Sequence, residues 1–467
     1  MKITFHGAAR TVTGSKHLLT LDSGTTILLD CGMFQGLGKE TEVLNKDFGF
    51  DASVIDHVVL SHAHIDHSGL LPKLVKEGYG NAIYCTPATK ALTAILLEDS
   101  AVIQRDDTKF INKKRAKQGL PLYEPLYTLD DALSVIPLLE TVDYDEWQRI
   151  CDEVDVMFTD AGHIIGSAAV HLRIREKNKI THLTFSGDVG RYRDVILRSP
   201  EVFPQADYII IESTYGDKLH ENIANSTDTL YSWIRKTCVE RKGKLLIPAF
   251  SVGRTQELLY FLNQLYNERE LPHVPVFVDS PLSLEATSVV KSYPEYFNSR
   301  VKKLLLTDND PFDFPGLKFI KSVDESKALN DFKQPCIIIS ASGMADAGRI
   351  KHHIANNIHD ERNTILLVGY CEPHTLGGKL MTGAKEVRIY GEYFEVKAEV
   401  GSMRSMSAHG DYEDLSQFLG CQSPELVKKL FVVHGEEEVQ LEFQRRLLKK
   451  GFRDVEVPHM HESFNLD

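Results

Sequence analysis

The chain has 467 residues, is 42% hydrophobic, and carries a formal net charge of −13 with seven cysteines. That length exceeds one ordinary hydrophobic core and predicts two domains, while the composition excludes disordered, collagen-like and membrane-spanning classes. The acidic balance disfavours coating by a polyanion, and an odd, scattered cysteine set without a C-x-x-C pair excludes both a disulfide framework and a cysteine-ligated zinc site, which fits a reducing cytoplasm.

The opening MKITFHGAARTVTGS lacks the apolar centre of a secretory signal, so a soluble chain with no membrane partner is expected. KITFHGAAR reads as a strand followed by small residues. Residues 16–30, KHLLTLDSGTTILLD, read as a hairpin that turns at Ser23-Gly24 and ends on Asp30. An aspartate in that place is, by itself, a common strand terminator.

Residues 57–74, HVVLSHAHIDHSGLLPKL, hold four potential metal ligands within six positions: His62, His64, Asp66 and His67. The run Val58, Val59, Leu60 reads as a buried strand, which places the ligands on the loop leaving it. Imidazole and carboxylate donors suit zinc and its neighbours. Residues two apart in an extended segment point the same way, so His62 and His64 can grip one ion. Asp66 and His67 fall past the turn, in reach of a second ion.

Residues 70–160 alternate short apolar runs with helical stretches: a helix at 70–78, a strand at 82–85 and helical material from about 88 to 118, an α/β pattern. No period of 20 to 50 residues recurs, which excludes solenoids and propellers. Within the long helix, residues 105–117 (RDDTKFINKKRAK) form a local basic patch. Such runs are usually solvated faces, and a contact with nucleic acid is the alternative. His163, in DVMFTDAGHIIGSAAVHLRI, follows an apolar run and is flanked by glycines. A lone loop histidine is more often structural, but the metal loop needs a third imidazole from elsewhere, and His163 is the candidate. His171, inside the following alternating strand, reads as a packing residue. Asp188 stands between two glycines in THLTFSGDVGR, and Glu212 ends the apolar strand of YIIIESTYG.

Some 190 residues of α/β character follow. Four segments there repeat one arrangement: an apolar, β-branched run, a Gly- or Ser-rich turn, then a helix. This predicts a parallel sheet wrapped by helices, in a domain of its own. Two of its turns, AFSVGR and SASGMADAGR, offer backbone N–H groups at helix starts, hydroxyls from Ser251, Ser340 and Ser342, and guanidinium groups from Arg254 and Arg349, a set suited to phosphate. The chain then returns through His409, in SMSAHGDYEDL, and His434, in KKLFVVHGEEE. A final helix over about 436–450 places Val439, Phe443, Leu447 and Leu448 at core spacing.

The pattern His62-Ala-His64-Ile-Asp66-His67 resembles the signature of the metallo-β-lactamase superfamily of binuclear metal hydrolases. Asp30, His163 and Asp188 resemble its other motifs. Glu212, His409 and His434, flanking a large insertion, resemble the three extra motifs of the β-CASP branch, whose members are nucleases acting on RNA and less often DNA. The similarity covers nearly the whole chain, and GAARTVTGS, IPAFSVGR and SASGM bring it near the bacterial and archaeal relatives of the pre-mRNA 3′-end processing endonuclease. One departure is His374 in GYCEPHTLGGK, where the family usually has glycine, which puts the shape of the substrate groove in doubt.

The resemblance implies an α/β fold: an αββα metallo-β-lactamase sandwich over 1–213, completed by 401–467, with an inserted β-CASP domain over 214–400 built on a parallel sheet flanked by helices. It implies two zinc ions per chain, the first held by His62, His64 and His163, the second by Asp66, His67 and His434, with Asp188 bridging and Asp30 bracing the loop. It further implies cleavage of single-stranded RNA by a hydroxide activated between the metals. His409 would act as general acid steadied by Glu212, beside the catalytic carboxylates Asp66 and Asp188, and Ser251, Arg254, Ser342 and Arg349 would hold substrate phosphates. A DNA-directed nuclease, a small-molecule metallo-hydrolase and a non-catalytic RNA-binding subunit are the alternatives. Endonucleolytic against 5′-exonucleolytic action, and a homodimer, are left open.

Overall fold

The structure is a computed structural model that describes residues 1–38, 40–220, 226–269, 274–369, 371–403 and 405–467. Two units emerge, Met1–Leu219 with His409–Asp467, and His220–Ala408.

The first unit holds two seven-stranded sheets. One runs in the order Ser463–Asn465, Lys2–Phe5, His17–Thr20, Thr26–Leu29, His57–Val59, Ile83–Cys85, Leu139–Thr141; its first four strands pair antiparallel and the rest parallel. The other runs Val455–Glu456, Lys429–Val433, Tyr208–Glu212, Lys179–Phe185, Ala168–Glu176, Val154–Asp160, Gln148–Cys151, parallel at the first end and antiparallel at the last. The hairpin read at Ser23-Gly24 is present, with Gly24 at φ +99° and the Leu21 N–H on the Thr25 carbonyl at 2.8 Å. Strand alternation sends Ile3, Phe5, Leu19, Ile27 and Leu29 of one sheet against Val156, Phe158, Val170, Leu172 and Phe185 of the other. Full burial of each such side chain contributes about 2 kcal/mol.

The opposite faces are covered by helices. Leu28, Val58 and Ile83 pack against Leu71, Leu74 and Leu97, while Ile209, Ile211, Leu430 and Val432 pack against Leu415, Phe418, Phe443 and Leu447. Helix, sheet, sheet, helix is the layering that two half-apolar sheets require. The strand Tyr208–Glu212 is buried throughout, as its unbroken isoleucine run demands.

The last helix, Glu437–Lys449, departs from its expected core. Phe443 and Leu447 are buried, but Val439 is only partly so and Leu448 is 45% exposed; Gln440 lies fully buried instead, its side-chain oxygen accepting the Arg10 N–H at 3.2 Å. A narrow apolar stripe at 443 and 447 suffices, because a polar side chain with a backbone partner can fill the remaining space. His171 packs as expected, its ring nitrogens 2.9 and 3.0 Å from the hydroxyls of Thr159 and Thr184.

The second unit is built on a wholly parallel sheet in the order Leu317–Phe319, Val276–Val278, Cys336–Ser340, Lys244–Pro248, Thr364–Val368, Glu399–Met403, with a small antiparallel ribbon, Glu386–Ile389 and Glu392–Glu395. Helices such as Arg254–Arg269, Pro281–Lys291 and Gly348–Asn357 connect the strands, as parallel pairing requires. Among the described residues no helix is long and apolar enough to cross a membrane.

Candidate metal centre

In the first unit the candidate metal ligands, with Asp30 and Glu212, lie at or just past the carboxyl ends of strands. Asp30 follows Thr26–Leu29, the histidine loop follows His57–Val59, His163 follows Val154–Asp160, Asp188 follows Lys179–Phe185, Glu212 closes Tyr208–Glu212, and His434 follows Lys429–Val433. Asp66 and His67 sit on a one-turn helix, Ile65–Ser68, which swings them out of phase with His62 and His64. Backbone contacts fix that loop. The Asp66 carbonyl accepts the Ser15 N–H and the His67 carbonyl accepts the Cys31 N–H, both at 2.8 Å. The approach is close enough that a Cβ on Gly32 would lie 1.6 Å from the Asp66 oxygen, so only glycine fits there. A Cβ on Gly190 would likewise meet the Gly162 carbonyl at 1.8 Å and the His163 nitrogen at 2.6 Å.

Three imidazoles converge first. His64 Nδ1 lies 3.2 Å from His62 Nε2 and 3.1 Å from His163 Nε2. Asp188 Oδ2 faces the same point, 3.4 Å from His62 Nε2 and 3.5 Å from His163 Nε2. A second group lies alongside: His67 Nε2 and His434 Nε2 are 3.1 Å apart, Asp66 Oδ2 is 3.5 Å from His434 Nε2, and Asp188 Oδ1 is 3.2 and 3.6 Å from His67 and His434. The ligand atoms of His62, His64, His163 and Asp188 lie within 4.8 Å of one another, and so do those of Asp66, His67 and His434.

The donor set fits a pair of divalent cations. Ligand atoms in a tetrahedral shell at zinc–nitrogen bond lengths stand about 3.3 Å apart, the separation seen in both groups. One proton shared among three converging nitrogens satisfies a single pair, whereas a cation at their centre satisfies all three. Burial holds His62 well below its ordinary pKa and His64 at about 4, so both rings are neutral and offer lone pairs. His67 goes the other way. Burial pulls it down, but the carboxylates of Asp188 and Asp30 outweigh that and push it well above its ordinary value. The second group therefore demands positive charge. Asp66 and Asp188 both stay ionised despite burial, Asp66 at about 2 through its bond to His434, and Asp188 through the surrounding imidazoles.

Neighbouring polar groups orient these candidate ligands. Asp30 Oδ2 lies 2.6 Å from His67 Nδ1, and the same carboxylate accepts the Ser61 N–H at 2.8 Å and the Ser61 hydroxyl at 2.9 Å. The Ser61 hydroxyl is also 3.1 Å from His62 Nδ1, and the Thr214 hydroxyl is 3.0 Å from His434 Nδ1. Such partners fix the ring that presents the other nitrogen. Asp30 and His434 adopt left-handed backbone, φ +60° and +52°, a conformation that Asp and His tolerate better than most residues.

Glu212 also approaches the centre, but its oxygens are engaged. Oε1 accepts the Val189 N–H at 2.8 Å and faces His409 Nδ1 at 3.1 Å, and Oε2 accepts the Thr214 N–H at 3.0 Å. His409 Nδ1 is 3.9 Å from Asp188 Oδ2, and its ring centroid is 4.5 Å from that of His163. Burial lowers the His409 pKa, but Glu212 and then Asp188 overcome it and raise the group to about 9.

In the second unit, Ser251 lies in the turn after Lys244–Pro248 and Arg254 opens the helix that follows it. Both are buried, with the Ser251 hydroxyl 3.2 Å from that of Ser280 and the Arg254 guanidinium paired with Glu257. Ser340 is buried too, donating to the Asp279 carbonyl at 2.7 Å. Ser342 is half-buried in the turn after Cys336–Ser340. Arg349 reaches Asp279 Oδ1 at 2.7 Å and the Lys321 carbonyl at 3.1 Å. Asp279 was not singled out from the sequence, yet it is fully buried and also bonds His353 Nε2 at 2.6 Å. Its sequence signal, an aspartate closing the apolar strand VFVD, is the one that marked Asp30. Ser61 and Thr214 also escaped notice, because hydroxyls beside a ligand have no distinctive spacing. His374 is exposed, its N–H donating to Glu372 Oε2 at 2.9 Å.

Three family models match the sequence: the metallo-beta-lactamase superfamily over 16–247, the Beta-Casp domain over 255–380, and the Zn-dependent metallo-hydrolase RNA specificity domain over 393–458. Ribonuclease TTHA0252 of Thermus thermophilus is 36% identical, the match covering 97% of each chain. The RNase J-like protein of Methanocaldococcus jannaschii is 31% identical over 96% of this chain and 95% of its own, and transcription termination factor FttA of Methanosarcina mazei is 31% identical over 96% and 69%. A crystal structure of a protein of unknown function from Enterococcus faecalis V583 shares the fold, with TM-score 0.52 at 12% identity over 100% of this chain and 99% of that one.

Proposed function

Because the chain belongs to the metallo-β-lactamase superfamily and carries its β-CASP domain, we propose that it is a zinc-dependent ribonuclease that hydrolyses phosphodiester bonds of single-stranded RNA. The observation that carries this reading is Asp188, whose Oδ2 faces His62 and His163 while its Oδ1 faces His67 and His434. A carboxylate has an oxygen to offer each of two ions, whereas a neutral imidazole has a single lone pair to offer. The RNA specificity domain match, and relatives named as a ribonuclease, an RNase J-like protein and a transcription termination factor, support RNA as the substrate.

His62, His64 and His163 would hold the first zinc, and Asp66, His67 and His434 the second, with Asp188 shared. Bound there, the two cations would supply a water of lowered pKa and offset charge on the phosphate oxygens. The remaining work falls to the chain's own groups. Glu212 fixes His409 through Nδ1, so Nε2 is the atom from which a proton passes to the departing 3′ oxygen. The charged form of His409 that Glu212 favours is the form such an acid needs. Glu212 is itself locked by two backbone N–H groups, which keeps the imidazole from swinging. In the second unit Ser251, Arg254, Ser342 and Arg349 would hold substrate phosphates, Arg349 with the donors that Asp279 and the Lys321 carbonyl leave over. A reducing cytoplasmic setting belongs to the same reading, supported by seven cysteines that are all free thiols.

The test is incubation of 5′-labelled and 3′-labelled single-stranded RNA, and of DNA of the same sequence, with added zinc or with a chelator. RNA should be shortened only with zinc, and the two labels separate internal from end-directed cleavage. Faster cleavage of the DNA, or RNA cleavage that persists in chelator, overturns the reading.

A further inference from the structure

The long helix Pro87–Lys117 buries side chains from Ala88 to Ala101 and none beyond. The remainder, Val102 to Lys117, extends for roughly 24 Å at the usual rise per residue with no buried side chain. One side of this outer half is covered by the returning chain. The Asn112 side chain exchanges two hydrogen bonds with the Tyr123 backbone at 2.9 and 2.8 Å, and Arg115 Nε donates to the Pro121 carbonyl at 2.5 Å.

With about 3.6 residues per turn, the side opposite Asn112 and Arg115 presents Phe110, Lys113, Lys114 and Lys117. Phe110 is 60% exposed, and Lys114 Nζ stands 4.6 Å from its ring centroid. Arg105 and Lys109 share Asp106, but among the described residues no carboxylate pairs with Lys113, Lys114 or Lys117. On a chain of net charge −13, three ammonium groups with no carboxylate partner among the described residues, set around a largely exposed aromatic ring, form an electropositive island. Single-stranded nucleic acid is complementary to it, phosphates to the lysines and a base to the ring. A second copy of the chain docked about a two-fold axis would set like charges against each other.

We propose that this face of the helix, Phe110 with Lys113, Lys114 and Lys117, is an accessory contact for single-stranded RNA outside the metal centre. The proposal rests on the ribonuclease reading, since RNA is chosen over other polyanions on that ground. Each lysine contributes to affinity through release of a counterion, and Phe110 contributes stacking that salt does not screen.

The experiment measures binding of a phosphorothioate-linked single-stranded RNA to the zinc-loaded full chain over a range of KCl concentrations, beside hydrolysis of a small chromogenic phosphodiester. The triple variant Lys113→Gln, Lys114→Gln, Lys117→Gln should lower the slope of log affinity against log salt by about 2. Phe110→Ala should weaken binding by about 5- to 100-fold at unchanged slope, and Phe110→Trp should restore it. Hydrolysis of the small diester should be unchanged in all of them, which shows the fold and metal centre intact. An unchanged slope in the triple variant while the wild type cleaves RNA overturns the accessory contact and leaves the ribonuclease reading standing. So does an unchanged slope accompanied by loss of binding to phosphatidylserine vesicles, or by dissociation of a dimer, which would assign the face to lipid or to self-association. A wild type that cleaves no RNA, with the slope difference present, overturns the ribonuclease reading and leaves the contact.

Discussion

Asp30 and His67 meet at 2.6 Å, carboxylate Oδ2 on imidazole Nδ1, with both side chains fully enclosed. The contact settles which nitrogen of His67 faces the candidate metal centre. With Nδ1 committed to Asp30, Nε2 is left to face His434 Nε2 at 3.1 Å and Asp188 Oδ1 at 3.2 Å. The same carboxylate ties the start of the histidine loop through Ser61, so one residue holds both the ring and the backbone that carries it.

Asp30→Asn should therefore weaken metal binding at the His67 group by about 10- to 100-fold, the usual effect of removing a partner behind a ligating histidine. Zinc titration of the metal-free protein reads this directly. An affinity equal to that of the wild type would show that Asp30 merely closes its strand.

His64 has no substitute, because its Nδ1 is the atom that both His62 and His163 approach. His64→Ala should lower RNA cleavage by more than about 100-fold, since losing a ligand costs more than losing its support, and should reduce the zinc retained after dialysis. Full activity with full metal content would remove His64 from the ligand set.

His409 is expected to behave differently. His409→Ala should slow turnover by about 100- to 10,000-fold, the range of a lost general acid, while zinc content stays at the wild-type level. If zinc is lost with it, His409 is a ligand and the assignment of proton delivery to it fails.

Away from the centre, Asp155 lies almost fully buried on Val154–Asp160, with Arg173 Nε at 2.8 Å and Arg175 also paired to it. Burial pushes its pKa up, but the bonds to Arg175 and Arg173 dominate and hold it at about 2 against an ordinary 3.8. A folded-state pKa below the unfolded one gives stability that is complete above about pH 4 and fades as pH falls toward 2, amounting to about 2 kcal/mol. Asp155→Asn should lose that amount at neutral pH in urea unfolding, and the gap to the wild type should close in acid. A gap that does not change with pH would trace the loss to packing.

Much of this protein is legible without coordinates, for reasons visible in particular residues. The spacing of His62, His64, Asp66 and His67 announces metal chemistry because nothing in packing asks for four such donors in six positions. Strand and helix periodicity announces an α/β chain, and the repeated run, turn and helix after residue 213 announces the parallel sheet of the second unit. The helix pattern was less informative at its margins. Leu448 has the spacing of a core residue yet stands in solvent, and Gln440 is buried, because spacing gives the direction of a side chain and not the width of the surface it meets.

The sequence by itself determined the donor types and their order along the chain, since ligand chemistry is written in residue identity and local spacing. Only the tertiary structure decided the division of labour. It turned the two oxygens of Asp188 toward different histidine groups, satisfied Glu212 with backbone so that it supports His409, and drew Arg349 onto Asp279. Each of these depends on residues tens to hundreds of positions apart meeting within hydrogen-bond distance. Such meetings follow from how sheets stack and where strands end, and no local pattern records them.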